Sequence, residues 1–106
     1  MMVLFNGMLH AGEWKKHVVM ENGANTSAVA ADYDGDGDMD VITSYAGRVS
    51  LFEAPEWEEV ILHRFPNLKG RCIHSETLDI DGVGDMDWAG SEPNNKPFWL
   101  ENPGDG

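Results

Sequence analysis

The sequence predicts an all-β fold built from two copies of a four-stranded antiparallel unit, each copy folded around an acidic loop. Three observations predict it. The stretch Asp32-Tyr33-Asp34-Gly35-Asp36-Gly37-Asp38-Met39-Asp40 returns forty-seven residues later as Asp79-Ile80-Asp81-Gly82-Val83-Gly84-Asp85-Met86-Asp87. The segments flanking the first loop are short, carry β-branched residues and lack a helical period. The surroundings repeat as well. Trp14-Lys15-Lys16-His17-Val18-Val19 is echoed by Trp57-Glu58-Glu59-Val60-Ile61-Leu62, and Leu51-Phe52-Glu53-Ala54-Pro55 by Trp99-Leu100-Glu101-Asn102-Pro103.

Asp32, Asp34, Asp36 and Asp40 occupy positions 1, 3, 5 and 9 of a D-x-D-x-D-G-x-x-D pattern, which folds carboxylates around one hard cation. Gly37 at position 6 takes the positive φ that the sharp turn needs. At position 7 the ligand is a backbone carbonyl, that of Asp38, leaving the Asp38 side chain to solvent. Clustered carboxylates repel, and a divalent cation relieves the repulsion. Magnesium or manganese could use the same oxygens, but a flexible loop with this many ligands favours calcium. Position 12 is Thr43 rather than a bidentate acid, so the loop is not of the helix-loop-helix type; it joins the strand Ser27-Ala28-Val29-Ala30-Ala31 to Val41-Ile42-Thr43-Ser44-Tyr45.

The second loop carries Val83 at position 5, leaving Asp79, Asp81 and Asp87 with the carbonyl of Asp85. Three carboxylates in place of four predict a weaker or empty site, with water at the vacancy or Val83 packed against the neighbouring unit. Gly90 at position 12 again excludes the helix-loop-helix type.

A period near 47 holding three or four short strands marks a propeller blade or a β-solenoid coil. Each unit reads as an outer strand beginning at the tryptophan, an inner strand entering the loop, a strand leaving it, and a last strand ending in an acid and a proline. The expected division of the single 106-residue domain is a strand within residues 1–13, one blade over 14–56 and a second over 57–106. Met2-Val3-Leu4-Phe5 looks like the closing strand of a preceding blade, so the chain is expected to be cut in phase with its repeat.

The paired loops, the W-x-x-x-V-V opening and the closing Trp99-Leu100-Glu101-Asn102-Pro103-Gly104 resemble the FG-GAP/VCBS repeats of integrin-α-like β-propellers. That resemblance implies antiparallel blades with calcium in the loop between the first two strands, rings of six to eight blades, and extracellular or periplasmic binding or adhesion. It also implies lectins and, less often, parts of carbohydrate-active enzymes; the fold alone fixes no ligand.

Nineteen acidic against seven basic residues give a net charge of −12, which argues against binding nucleic acid or an anionic membrane through a basic surface. The lone cysteine, Cys72, excludes an intrachain disulfide and a cysteine-based zinc site and reads as a small buried residue. Fewer than about three stacked repeats rarely stand alone. The expected partners are therefore neighbouring blades of a larger propeller or further copies, three or four of which would close a ring, with Met2 to Phe5 as a latch.

Aligned at the repeat offset, His74 and Glu76 face the axis where the first repeat has Ser27 and Val29, and polar groups there could bind a ligand or act as acid and base. Trp14 and Trp57 are expected in the core between blades. Phe98 and Trp99 alternate along the last strand, so one of them is expected to face out, and Trp88 follows the second loop directly; Trp88 and Trp99, near Ser91, Glu92, Asn94 and Asn95, read either as core packing or as candidates for stacking on a sugar face. No nucleophile elbow, phosphate-cradling glycine loop or separate carboxylate pair is present, so the chain is read as a calcium-binding module with a binding, structural or adhesion role, not as an enzyme. The alternatives are a lectin-like carbohydrate module and, less directly, a lyase or hydrolase fragment using His74 and Glu76.

Overall fold

A computed structural model describes residues 12–21, 23–93 and 95–104, which contain seven strands and no helix. The first four are β1 (Ser27–Ala31), β2 (Asp40–Tyr45), β3 (Arg48–Glu53) and β4 (Glu58–Arg64), and they form one antiparallel sheet in chain order. The other three, β5 (His74–Leu78), β6 (Asp87–Ser91) and β7 (Phe98–Leu100), form a second antiparallel sheet, also in chain order. Antiparallel neighbours joined by short connections are the least costly way to pair strands, and every pairing follows that rule. The two acidic loops are the links from β1 to β2 and from β5 to β6, as expected.

The expected pair of four-stranded units is corrected in two ways. The strand after Trp57, read as the opening of the second unit, pairs instead with β3, with Glu53 opposite Glu58 and Leu51 opposite Val60. The short turn between them decides this: the Trp57 amide donates to the Glu53 carbonyl at 2.6 Å, and Trp57 itself sits at φ 61° in the turn. The second sheet consequently has three strands among the described residues. Trp14, read as the start of a paired strand and as core, is 99% exposed in a segment that belongs to neither sheet, while Trp57 is half-buried in its turn. The strand expected at Met2 to Phe5 and the side chain of Asn94 lie outside the described residues.

The core lies between the two sheets. Ala31, Tyr33, Ile42, Val49, Phe65, Cys72 and Trp88 form it, flanked by Val29, Leu51, Phe98 and Leu100. Alternation along β1 and β5 turns Ser27, Val29, Ser75 and Thr77 inward, and the sheets meet there. Ser75 Oγ donates to Ser27 Oγ at 3.3 Å, and the hydroxyls of Tyr33 and Thr77 share a hydrogen bond. Cys72, fully buried as expected, adds a backbone link: its amide donates to Ser44 Oγ at 2.9 Å and its carbonyl accepts from Thr26 Oγ1 at 2.5 Å. Further from this contact a groove of about 530 Å³ separates β3 and β4 from β6 and β7, lined by Leu51, Val60, Leu62, Trp99 and Leu100 among others.

Trp88, the largest fully buried side chain, packs its indole against Phe98 with ring centroids 5.6 Å apart. Gly90 lies two residues along the same strand, so its Cα faces the same side and gives the indole room. A Cβ there would sit 2.6 Å from Trp88 Cη2 and 2.9 Å from Cζ2. Since the buried ring has nowhere to retreat, Gly90→Ala should cost about 1–3 kcal/mol, as overpacking does. Thermal unfolding should register this as a fall of about 4–8 °C for each kcal/mol; an unchanged midpoint would mean the indole is not held against the strand.

Candidate metal centre

Each acidic loop begins at the last residue of an inner strand and ends at the first residue of the next, so the ladder from β1 to β2 fixes the distance the loop must span. Ala31 pairs with Asp40 and Leu78 with Asp87, closing both loops at equivalent rungs. Within the span two glycines take φ values open to few other residues, Gly35 at 75° and Gly37 at 97° in the first loop, Gly82 at 75° and Gly84 at 104° in the second. The turn thereby folds the backbone amides inward.

Those amides converge on the first aspartate. Asp32 Oδ1 accepts from the amides of Gly35 at 2.9 Å and Asp36 at 3.1 Å, and Oδ2 from that of Gly37 at 2.8 Å. Asp79 repeats the arrangement with the amides of Gly82, Val83 and Gly84 at 2.9, 3.2 and 2.9 Å. The last aspartate of each loop is buried and ties the loop to the sheet. Asp40 accepts from the Tyr33 amide at 3.1 Å and the Ala54 amide at 3.0 Å; Asp87 accepts from the Ile80 and Asn102 amides at 2.9 and 2.8 Å.

The result is two convergent groups of carboxylates. Oxygens of Asp32, Asp34, Asp36 and Asp40 lie within 4.8 Å of one another, and so do those of Asp79, Asp81 and Asp87. The carboxylates of Asp38 and Asp85 fall outside both groups; Asp38 is exposed, and Asp85 packs beside Gly104. Val83, where packing against the neighbouring unit was an option, is 67% exposed. Hard oxygen donors within one coordination sphere of each other, on a loop closed by glycine turns, fit a cation such as calcium.

Crowding shows in the proton affinities of the first loop. Asp34 is pushed up to about 6, first by lost solvation and then by the neighbouring carboxylates of Asp36, Asp32 and Asp40. Asp32 moves the other way: the Gly37 amide holds it below the ordinary carboxylate range against the opposing effect of desolvation.

Asn102 was legible only as part of the closing motif, yet it joins the two loops. Besides its amide bond to Asp87, its Nδ2 donates to the Tyr33 carbonyl in the first loop at 2.8 Å and to the Met86 carbonyl at 3.0 Å. The other candidates are dispersed. His74 and Glu76 are both exposed on one face of β5; Glu76 lines a shallow groove with Asp32, Met39 and Met86, which His74 does not reach. Trp88 is 1% exposed, with no hydrogen-bond partner for Nε1, and offers no face for stacking; Trp99, on edge strand β7, is 40% exposed.

Comparison with curated proteins and with solved structures gives no match. The FG-GAP repeat family model matches residues 24–52, which span β1, the first acidic loop, β2 and nearly all of β3. Residues 24–52 are thus an FG-GAP repeat.

Proposed function

We propose that this chain is a calcium-stabilised repeat module that binds or supports partners rather than transforming them, and that its open faces pack against further blades of a propeller ring, supplied by a longer chain or by further copies of itself. The observation that carries the metal assignment is the convergence of four carboxylates in the first loop. Calcium there would be held by Asp32, Asp34, Asp36 and Asp40 with the Asp38 carbonyl, and it would supply the positive charge that the loop otherwise takes from backbone amides. Affinity would fall in the range of extracellular modules, roughly 10⁻⁴ to 10⁻³ M. The second loop, one carboxylate poorer, would bind more weakly or not at all. Support for assembly comes from the large apolar side chains that stay open on a two-sheet unit, including Val60 at 41%, Leu78 at 44% and Trp99 at 40% exposure.

The loop difference gives a direct experiment. Calorimetric titration with calcium should count one strong site in the natural chain. Val83→Asp should raise the count toward two by restoring the fourth carboxylate, and Asp36→Val should weaken the first site to the level of the second. A hundredfold excess of calcium over its Kd should stabilise the fold by about 2.7 kcal/mol. No heat and no thermal shift in millimolar calcium would end the metal assignment.

Protons should compete with the ion. Asp34, ordinarily near 3.8, titrates near 6 in the folded protein, so between these values the folded chain holds a proton that the unfolded chain has released. In calcium-free buffer the contribution of Asp34 to stability is therefore present at low pH and lost as pH rises from about 4 to about 6. Asp34→Asn should abolish that part of the pH dependence in thermal melts, and a slope unchanged by the substitution would place the titration elsewhere.

A further inference from the structure

Tyr33 is the second residue of the first loop, between Asp32 and Asp34, and both its ring and its backbone are bonded to the other repeat. The buried ring reaches across to β5, where its hydroxyl shares a hydrogen bond with Thr77 Oγ1, two residues before Asp79 opens the second loop. Its carbonyl accepts from Asn102 Nδ2 at 2.8 Å. The same nitrogen donates to the Met86 carbonyl at 3.0 Å, and the Asn102 amide donates to Asp87 Oδ1 at 2.8 Å. The Tyr33 amide meanwhile donates to Asp40 Oδ2 at 3.1 Å. A path through two residues, Tyr33 and Asn102, therefore joins the buried carboxylate of the first loop to that of the second. We propose that Tyr33 and Asn102 couple the two loops, so that calcium in the first raises the affinity of the second, and the reverse by linkage. This deepens the metal assignment made above and rests on it.

The bonds around Asn102 leave its side chain one orientation. Oδ1 accepts from the Gly104 amide at 2.9 Å while Nδ2 faces two carbonyls; turned over, the group would set oxygen against carbonyls and N–H against N–H. Both ends of the path lie where a metal would act. Tyr33 stands between two carboxylates of the first group, and Met86 stands between Asp87 and Asp85, whose carbonyl is the backbone ligand expected of the second loop. Drawing either loop around a cation thus fixes a peptide that Asn102 holds, and the other loop loses less conformational freedom when it fills. Charge does not oppose this sign of coupling. Four carboxylates exceed the two charges of one cation, so the filled first loop stays negative.

The linkage is not a consequence of the repeat alone. Ala54 takes the place of Asn102 in the first repeat: its amide bonds Asp40 as that of Asn102 bonds Asp87, and it has no side-chain donor. Ile80 takes the place of Tyr33 in the second loop and has no hydroxyl. The backbone bonds recur between the repeats, but the two side chains that cross from loop to loop do not.

Calcium titration of the full 106-residue chain, followed by nuclear magnetic resonance, reads each loop through its own glycine amide, Gly37 donating to Asp32 and Gly84 to Asp79. Every chain carries Val83→Asp, so that the second loop titrates in range. The expected result is that Asp36→Val, a change confined to the first loop, raises the calcium concentration at the Gly84 midpoint about fivefold or more. In Asn102→Ala, which keeps the backbone amide on Asp87 and matches the residue of the first repeat, that cross-loop effect should vanish. A merely structural role for Asn102 would shift the Gly84 midpoint equally with and without Asp36. Tyr33→Phe, which loses only the hydroxyl bonded to Thr77, should diminish the effect in a chain whose buried ring is preserved. A Gly84 midpoint indifferent to residue 36 overturns the coupling and leaves the metal assignment standing, as does a Gly84 amide silent to calcium while Gly37 responds. A cross-loop effect undiminished in both Asn102→Ala and Tyr33→Phe overturns the path through these residues. No response at either glycine overturns the metal assignment and the coupling together.

Discussion

The arrangement of each sheet depends on one buried carboxylate. Asp40 and Asp87 are 0% and 1% exposed, and neither has a cationic side chain against it among the described ion pairs. A bare carboxylate out of water is costly, so the backbone must answer it. It does so with two amides that come from opposite directions, one from the second residue of the loop and one from the chain just past the third strand, and hydrogen bonds to a charged group are worth about 1.5–3 kcal/mol each. Loop, second strand and third strand are thereby pinned at a single point. The three-strand meander follows from that pin, and the carboxylate that makes it also belongs to the convergent group of its loop.

Much of this was legible because the loop chemistry is local. The D-x-D-x-D-G-x-x-D spacing specifies its own turn, and a strand must enter and leave it, so β1, β2, β5 and β6 could be placed from sequence. The alternation of Phe98 and Trp99 likewise showed that one of the two would face outward, and Trp99 does. Trp57 misled because periodicity marks where a repeat begins and not which strands hydrogen-bond. A five-residue spacing from Glu53 to Glu58 with a tight turn makes a hairpin, and proximity along the chain outweighed the repeat phase. Trp88 could not be assigned to core or surface from its position after the loop. What settles it is Gly90, whose missing side chain leaves space for an indole, a signal visible in the sequence only once the strand register is known.

The two loops differ in what their backbone does less than in what their side chains offer. All five backbone hydrogen bonds to the first and last aspartates recur in the second loop, including the one from the residue that is Asp36 in one and Val83 in the other. The amide is indifferent to its side chain, so the turn survives the loss of the acid. Turn geometry and carboxylate number are therefore separable at this position: the five shared bonds need aspartates at the ends of the loop, and the side chain at position 5 can change from acid to valine without disturbing them. Asn102 adds the complementary constraint by bonding the backbone of both loops through one side-chain nitrogen.

The offset between repeat and sheet has a consequence for how such a unit can be stable. Were each repeat to make its own sheet, two repeats would form two closed layers with finished edges. Here the first sheet borrows its outer strand from the start of the second repeat, and the second sheet is left one strand short among the described residues. Strand borrowing welds neighbouring units with a full ladder of backbone hydrogen bonds, a stronger and more directional join than face packing alone.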